Sequence, residues 1–474
     1  MVNYENKYIF RIYGWVNKEI RIRTETNQGG KRMTIQLSDH FTYKKLFYFV
    51  LPSIGMMVFT SIYGVVDGFF ISNFAGKTAF AAINLVMPFI MITAGLGFML
   101  GTGGTALVSK LLGQGKKQRA NECFTMLIKA VVIGGIIISI FGVIFMKQVA
   151  LFLGATSEML EDCIIYGQII IAFNTAYMLQ NIFQSFMIAA EKPKMGFKIT
   201  VISGVANMIL DAVFVGVFRW GVAGAAVASG ISQCIGGGLP LLYFMKENDS
   251  TLRLVPAKIE MKPILKAAGN GSSELMTNIS SSIISSIYNF QLMKYIGEDG
   301  VAAYGVLMYV QFIFIAIYIG YAIGSAPVIS YHYGAENEHE LKNMFHKSIT
   351  IMISLGIILT ISAIVLAPVL GHIFVGYDQV LFNLTTYAFK LFSFSFLFTG
   401  LNIFASSFFT ALNNGVISAI ISFTRTLVFQ MIAILVLPLL LQTDGIWLSN
   451  VFAEAGALIV SLTFILIESK EYNY

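Results

Sequence analysis

A chain of 474 residues that is 56% hydrophobic and only 12% charged, with a mean hydropathy of +0.75, excludes a soluble globular protein, in which about a quarter of residues carry charge. The formal net charge of +6 is spread over a few short segments between long apolar runs and calls for no nucleic-acid partner. What composition leaves is a protein built for lipid, long enough for many crossings at about 20 apolar residues per transmembrane helix.

In chain order, residues 1–43 form a polar, basic cytoplasmic tail without the continuous apolar core of a signal sequence. Met33 opens MTIQLSDHFTYKKL, a plausible alternative start that would make residues 1–32 an extension. Twelve candidate spans follow, near 46–70, 79–104, 120–146, 160–190, 197–218, 222–246, 268–296, 300–327, 346–370, 382–411, 415–440 and 446–467. These runs are apolar on every face and too long for barrel strands of about ten alternating residues. The expected fold is an all-α polytopic membrane protein of twelve transmembrane helices in two pseudo-symmetric six-helix lobes. An N-lobe at 44–246 is joined by a cytoplasmic linker at 247–266 to a C-lobe at 267–474.

Lysine and arginine collect in the tail, around Lys110 to Arg119, Lys192 to Lys198, Arg253 to Lys266 and Lys342 to Lys347, and at Lys470. The alternate loops hold little beyond Lys77, Lys147, Arg219 and Lys294. With an even number of spans, this bias expects a multi-pass protein of the cell membrane with both termini cytoplasmic.

The two halves repeat. GKTAFAAINLVMPF from Gly76 runs to Gly113, and GEDGVAAYGVLMYV from Gly297 runs to Gly334, with the same separation. Ala81, Ala82, Met87, Gly103 and Ser109 fall opposite Ala302, Ala303, Met308, Gly324 and Ser330 without a gap. SFMIAAEKPK from Ser185 echoes SFFTALNNGV from Ser407 at almost the same offset. Two copies inserted the same way imply an axis along the membrane normal, and a site between related bundles can be exposed to alternate sides by rocking.

Against this apolar background the buried polar residues stand out. YGVVDGFFIS carries Asp67 past the middle of the first span, with Tyr63 one turn earlier on the same face. A carboxylate at that depth costs about 2.5–3.5 kcal/mol on insertion scales, so it needs a partner or a function. Span five repeats the pattern in NMILDAVFVG, where Asn207 and Asp211 share a face, and span six adds Ser229. Span four adds Tyr166, Asn174, Asn181 and Gln184. The serine and the asparagines could equally serve neighbouring helices. Two aspartates without a basic residue in the surrounding spans point to function, and Lys129 in span three is the one residue that could turn Asp67 into a structural ion pair.

Other chemistries find no support. Cys123, Cys163 and Cys234 form no CxxC and have no histidine at metal-ligand spacing, and the five histidines fall at or beyond span ends. No metal site is expected, apart from a possible Na+ at Asp67, Asn207, Asp211 and Ser229. GLGFMLGTGG from Gly95 follows no strand and reads as helix packing rather than a phosphate loop. Arg425, Lys390 and Glu454 are expected to pair or snorkel. No cofactor is expected, and a membrane enzyme would need a nucleophile beside a base, which the spans do not offer.

LPSIGMMVFTSIYGVVDGFFISNFAG, NMILDAVFVG and WGVAGAAVAS, together with the duplicated six-span plan, resemble the multidrug and toxic compound extrusion (MATE) family over nearly the whole chain from about Ser38. QLMKYIGEDG and the EKPK loop resemble its MepA-like branch. The resemblance implies secondary active antiport, in which small-molecule organic cations leave in exchange for H+ or Na+. It implies coupling roles for Asp67, Asn207, Asp211 and Ser229, joined here by Tyr166. It implies substrate contacts at Tyr63, Asn181 and Gln184, to which the sequence adds Thr60, Asn174, Glu274 and Asn278. Pro52 matches a proline where the first helix bends. The expected partners are the cationic substrates and the lipid bilayer, with no nucleic acid, and the chain is expected to act as a monomer.

One departure is visible: the repeat register sets Tyr288 opposite Asp67, so the coupling acid is not duplicated. Span seven instead carries Glu274, Asn278, Ser281, Ser285 and Asn289 as a polar stripe, read as cavity lining or a second cation site. Two carboxylates in one low-dielectric pocket cannot cheaply both be charged, so they are expected to hold a proton that a hydrophobic cation displaces. Aromatic and methionine side chains would supply adaptable contacts. A lipid-linked saccharide flippase of the same superfamily is the rival reading, and would want a cavity rich in arginine.

Overall fold

A computed structural model of the chain describes residues 35–71, 74, 77–472 and 474. Most of the expected tail, the alternative start at Met33 and the repeat residue Gly76 lie outside the described residues. The first six spans are Tyr43–Phe70, Lys77–Gly113, Lys117–Phe152, the bent pair Leu160–Ala172 and Asn174–Ala189, Pro193–Asp211 extended by the wide turn Ala212–Val217, and Gly221–Met245. A short helix, Met261–Asn270, ends the linker. The C-lobe follows with Ser272–Tyr295, Glu298–Gly334, Glu338–Val375 and the bent pair Gln379–Ser393 and Phe396–Ala411. The last two spans run from Gly415 to Tyr472 and divide at Gln442, whose φ of 52° breaks the helix.

Among the described residues, eight helices are long and apolar enough to cross a membrane individually, and the bent pairs bring that to ten. The twelve expected spans are reached because Gly415–Tyr472 holds two crossings and because Ser272–Tyr295, with its polar stripe, is long enough to cross but fails on composition. A helix that carries so many hydroxyls is tolerated in lipid when its polar face looks into the protein. Span four bends by 54° at Phe173 and span ten by 47° near Ser395, so both lobes place a break in their fourth helix. Span one runs through Pro52 as one continuous helix; the proline removes one backbone hydrogen bond without ending it.

The lobes have separate apolar cores, except that the first half of span one, with Phe49, Val50 and Met56, and Ile188 of span four join the core of the C-lobe. The closest approaches between lobes are made by glycines. A methyl group on Gly113 would lie 2.0 Å from the Tyr331 carbonyl oxygen, and one on Gly334 would lie 2.2 Å from that of Lys110. These contacts are mutual, between positions the repeat register pairs, as a two-fold axis between the lobes requires. The Lys110 ammonium also sits 4.3 Å from the centre of the Tyr333 ring.

Both described ends of the chain lie at this sealed end. The segment before span one bridges the lobes: Leu37 N donates to Glu191 Oε1 of the N-lobe at 2.8 Å, and Phe41 N donates to Glu340 Oε1 of the C-lobe at 2.9 Å. His40 Nδ1 meets Glu340 Oε2 at 2.6 Å, and Asn343 donates to the Phe41 carbonyl. The Tyr474 ring packs on Phe345 and Phe408 nearby.

Candidate functional site

Gly204 sets the N-lobe site. A methyl group there would lie 2.5 Å from the Phe59 ring and 2.9 Å from the Tyr63 ring, so only glycine lets span five approach span one this closely. Beyond that contact the two parallel helices bring Asp67 and Asp211 together. Their carboxyl groups interact directly, and Tyr166 from span four lies within electrostatic reach of both. Asp211 is fully buried, and Asn207 and Tyr166 nearly so. Apart from each other, Asp67 Oδ1 and both Asp211 oxygens have no hydrogen-bond partner among the described residues. Lys129 resolves the alternative: it is exposed and donates to the Ala257 carbonyl, away from both acids.

The surrounding polar residues are positioned by ordinary helix contacts. Asn207 Nδ2 donates to Ser229 Oγ at 3.4 Å, and Ser203 Oγ to the Ser232 carbonyl at 2.6 Å, pinning span five to span six. Both acids lie next to wide helical turns: Asp211 opens into Ala212–Val217, and the same widening reappears at Ile71 and Phe74 after Asp67. Such π-type turns free backbone geometry and occur preferentially at functional positions. The result is a compact set of hard oxygen donors with unused lone pairs, suited to a proton or a small cation.

The expected substrate set divides. Glu274 and Asn278 line a cavity of about 500 Å³, with Ser281 and Ser285 of the same stripe and Tyr288 one turn on. Asn289, the last residue of the stripe, is exposed and off the cavity. Thr60, Tyr63, Asn174, Asn181 and Gln184 do not line it. Close packing is the reason. Thr60 Oγ1 donates to its own helix at Met56, Thr93 donates to Asn174 Oδ1 at 3.2 Å, and Asn181 Nδ2 donates to the Ala94 carbonyl at 3.2 Å. Gln184 faces only a crevice of about 10 Å³ beside Gln180.

The cavity belongs mostly to the C-lobe, with Met91, Thr102, Thr105 and Ser185 closing it from the N-lobe. Tyr288, the counterpart of Asp67, donates its hydroxyl to Gln430 Oε1 at 3.2 Å and stacks on Tyr304 at 5.0 Å. Gln430 in turn donates to Asn450. On the same wall Arg425 Nε donates to both oxygens of Glu454, at 2.9 and 3.0 Å. Asn402 donates to Glu454 Oε2 at 2.8 Å and accepts from Ser461. The sequence left Arg425, Lys390 and Glu454 to pair or snorkel; neither the mutual pairing of Arg425 and Glu454 nor their place on the cavity wall was legible in it. Tyr304, Gln430 and Asn450 carried no distinguishing signal, since each sits alone in an apolar run.

Comparison with known proteins agrees with this architecture. The sequence matches the MatE family twice, over residues 52–213 and 275–436. It is 24% identical over 433 residues to the multidrug export protein MepA of Staphylococcus aureus (strain MRSA252), covering 90% of this chain and 94% of that one. A MepA from Staphylococcus saprophyticus is 24% identical over 85% of this chain and 88% of its own length. Among solved structures, MATE in complex with MaL6 superposes with a TM-score of 0.88 at 20% identity, covering 94% of this chain and all of that one. An outward-facing multidrug resistance MATE transporter of the MOP superfamily superposes at 0.87 with 21% identity, over 94% of this chain and 100% of that one. With both halves matched and the twelve-span fold shared, the chain belongs to the MATE family of multidrug export transporters.

Proposed function

We infer that this membrane protein is a secondary active antiporter, exporting organic cations in exchange for H+ or Na+ by alternating access. The observation that carries the reading is the Asp67–Asp211 pair, one acid buried and the other half-buried, which meet each other with no basic partner among the described residues. Burial of acid groups in this state is costly unless a cation or proton is exchanged there. Asn207 and Ser229 complete the coupling site, with Tyr166 beside it. Cationic substrates occupy the cavity beyond, where Glu274 supplies charge and Tyr288, Tyr304 and Phe312 supply aromatic faces.

The positive-inside bias supports a cytoplasmic terminus-bearing end, and with the lobes in contact there this state is read as facing outward. Rocking the lobes apart at Gly113 and Gly334 would open the other side. The flippase reading is less well supported, because the cavity wall holds a single arginine, Arg425, already bonded to Glu454.

Efflux of a cationic dye from vesicles, measured under proton and sodium gradients imposed separately, tests the proposal. Dye movement driven by one of the two gradients is expected. Equal movement with neither gradient present would identify a passive pathway instead.

A further inference from the structure

The terminus-bearing junction between the lobes carries positive charge that the chain itself leaves unanswered. Lys110, near the end of span two, is half-buried, and its ammonium rests against the Tyr333 ring of the opposite lobe. Lys266, on the short helix that ends the linker, lies within electrostatic reach of it. Neither ammonium makes a hydrogen bond or an ion pair among the described residues. Asp249 and Glu260 of the linker are already held by Lys192 and Arg119. Glu471 lies within electrostatic reach of Tyr333 but pairs with neither lysine. Two like charges set together without a counter-charge repel each other unless an anion joins them.

The same short helix turns apolar groups outward. Met261 and Leu265, four residues apart on one face, are 60% and 63% exposed, with the exposed Lys262 beside them. The opposite face, with Ile264 and Ala267, packs on the N-lobe core. Depth identifies what the outer face meets. A methyl group on Gly103 would lie 2.0 Å from the Ala267 carbonyl oxygen, and one on Gly271 would lie 2.0 Å from that of Met99. The helix therefore runs antiparallel to span two and reaches about 15 Å inward from the end of that span at Gly113. Met261 and Leu265 lie along this stretch, at the level of a lipid leaflet.

We propose that Lys110, Lys262 and Lys266 bind the phosphate headgroup of an anionic phospholipid from the leaflet at the terminus-bearing end, with an acyl chain laid against Met261 and Leu265. Unpaired lysines beside exposed apolar side chains match a molecule that is anionic at one end and apolar at the other. A free phosphate would leave the apolar pair unused. Since Lys110 and Tyr333 come from different lobes, the headgroup sits across the seam where Gly113 and Gly334 meet.

This inference goes beyond the export reading and is tested without a gradient. Purified full-length protein in detergent is titrated with phosphatidylglycerol or with phosphatidylcholine, and bound lipids are counted by native mass spectrometry. Phosphatidylglycerol is expected to bind about tenfold or more tightly, at roughly fivefold for each lysine near the headgroup. Lys110→Gln with Lys266→Gln removes that preference. Lys194→Gln with Lys198→Gln deletes the same charge from exposed positions on span five and leaves it in place. Should the first pair not purify, Met261→Gln with Leu265→Gln, both at exposed positions, weakens phosphatidylglycerol with every lysine intact. Millimolar inorganic phosphate leaves the bound lipid undisturbed. Equal binding of the two lipids, or an equal loss in the span-five control, overturns the proposal. Displacement by inorganic phosphate also overturns it, by identifying a site for a soluble anion.

Discussion

In the N-lobe the buried acids face each other with oxygens to spare, whereas in the C-lobe the corresponding depth is filled by groups that satisfy one another. Asp67 and Asp211 have no base among the described residues; Glu454 has Arg425, Asn402 and, through it, Ser461. Where the register puts Asp67 in one lobe it puts Tyr288 in the other, a neutral group bonded to Gln430. Duplication built two bundles of like shape, and divergence gave one a pair of acids and the other, at the matching depth, a hydrogen-bonded polar wall. The lesson is that symmetry of fold need not extend to chemistry: only one lobe sets two acids against each other.

The largest expected effect comes from removing that incompleteness. Asp67→Asn should abolish gradient-driven dye efflux while leaving the melting temperature in detergent unchanged or higher, because a buried charge without a partner has been neutralised. Efflux that survives the substitution would take Asp67 out of the coupling step. The C-lobe should respond in the opposite sense. Arg425→Gln strands Glu454 and is expected to cost about 3–5 kcal/mol of stability, read as a lowered melting temperature that the added Glu454→Gln change restores. If both lobes shift the same way, the contrast drawn here is wrong.

A third effect bears on how the lobes meet. Gly334→Val places a side chain against the Lys110 carbonyl, where even a methyl group would stand 2.2 Å away, and overpacking of this kind costs about 1–3 kcal/mol. Only the sealed state pays it, so the variant should shift towards the state open at the terminus-bearing end. Increased labelling of a cysteine introduced at Ser330, buried in the sealed state, would report the change; unchanged labelling would mean that the seal does not depend on this glycine.

Much of this was legible in the residues. The spans, the duplication and the facing acids follow from apolar run length, from paired glycines and from the four-residue spacing of Tyr63 with Asp67 and Asn207 with Asp211. Composition could also locate the stripe of span seven. What it could not reveal is where space is left over. Asn174, Asn181 and Gln184 look as suited to a cavity as Asn278 does, yet they lie buried where span two packs on span four at Gly97 and Gly101. The cavity instead opens on Arg425, whose outlook depends on a wide helical turn that has no sequence signature. Lys129 was ambiguous for a related reason, since a helix wheel assigns a face but not the neighbour.

The smallest effect concerns the bridging segment, where the lobes differ once more. Glu340 accepts from His40, Phe41 and Asn343, while Glu191 in the N-lobe accepts from the Leu37 N–H. Burial pushes the Glu191 carboxyl above the usual carboxylate range, and the Leu37 N–H, with Lys192 and Lys117, only partly opposes this. A raised acid stabilises the folded state below its unfolded value and loses that contribution as pH rises through its folded one. Glu191→Gln keeps an acceptor for Leu37 and never ionises. It should therefore match the unaltered protein near pH 4 and melt slightly higher at pH 8, with a difference small enough to need replicate calorimetry. An equal shift at both pH values would mean that the charge on Glu191 plays no part in holding the segment, leaving Glu340 as the anchor of the bridge.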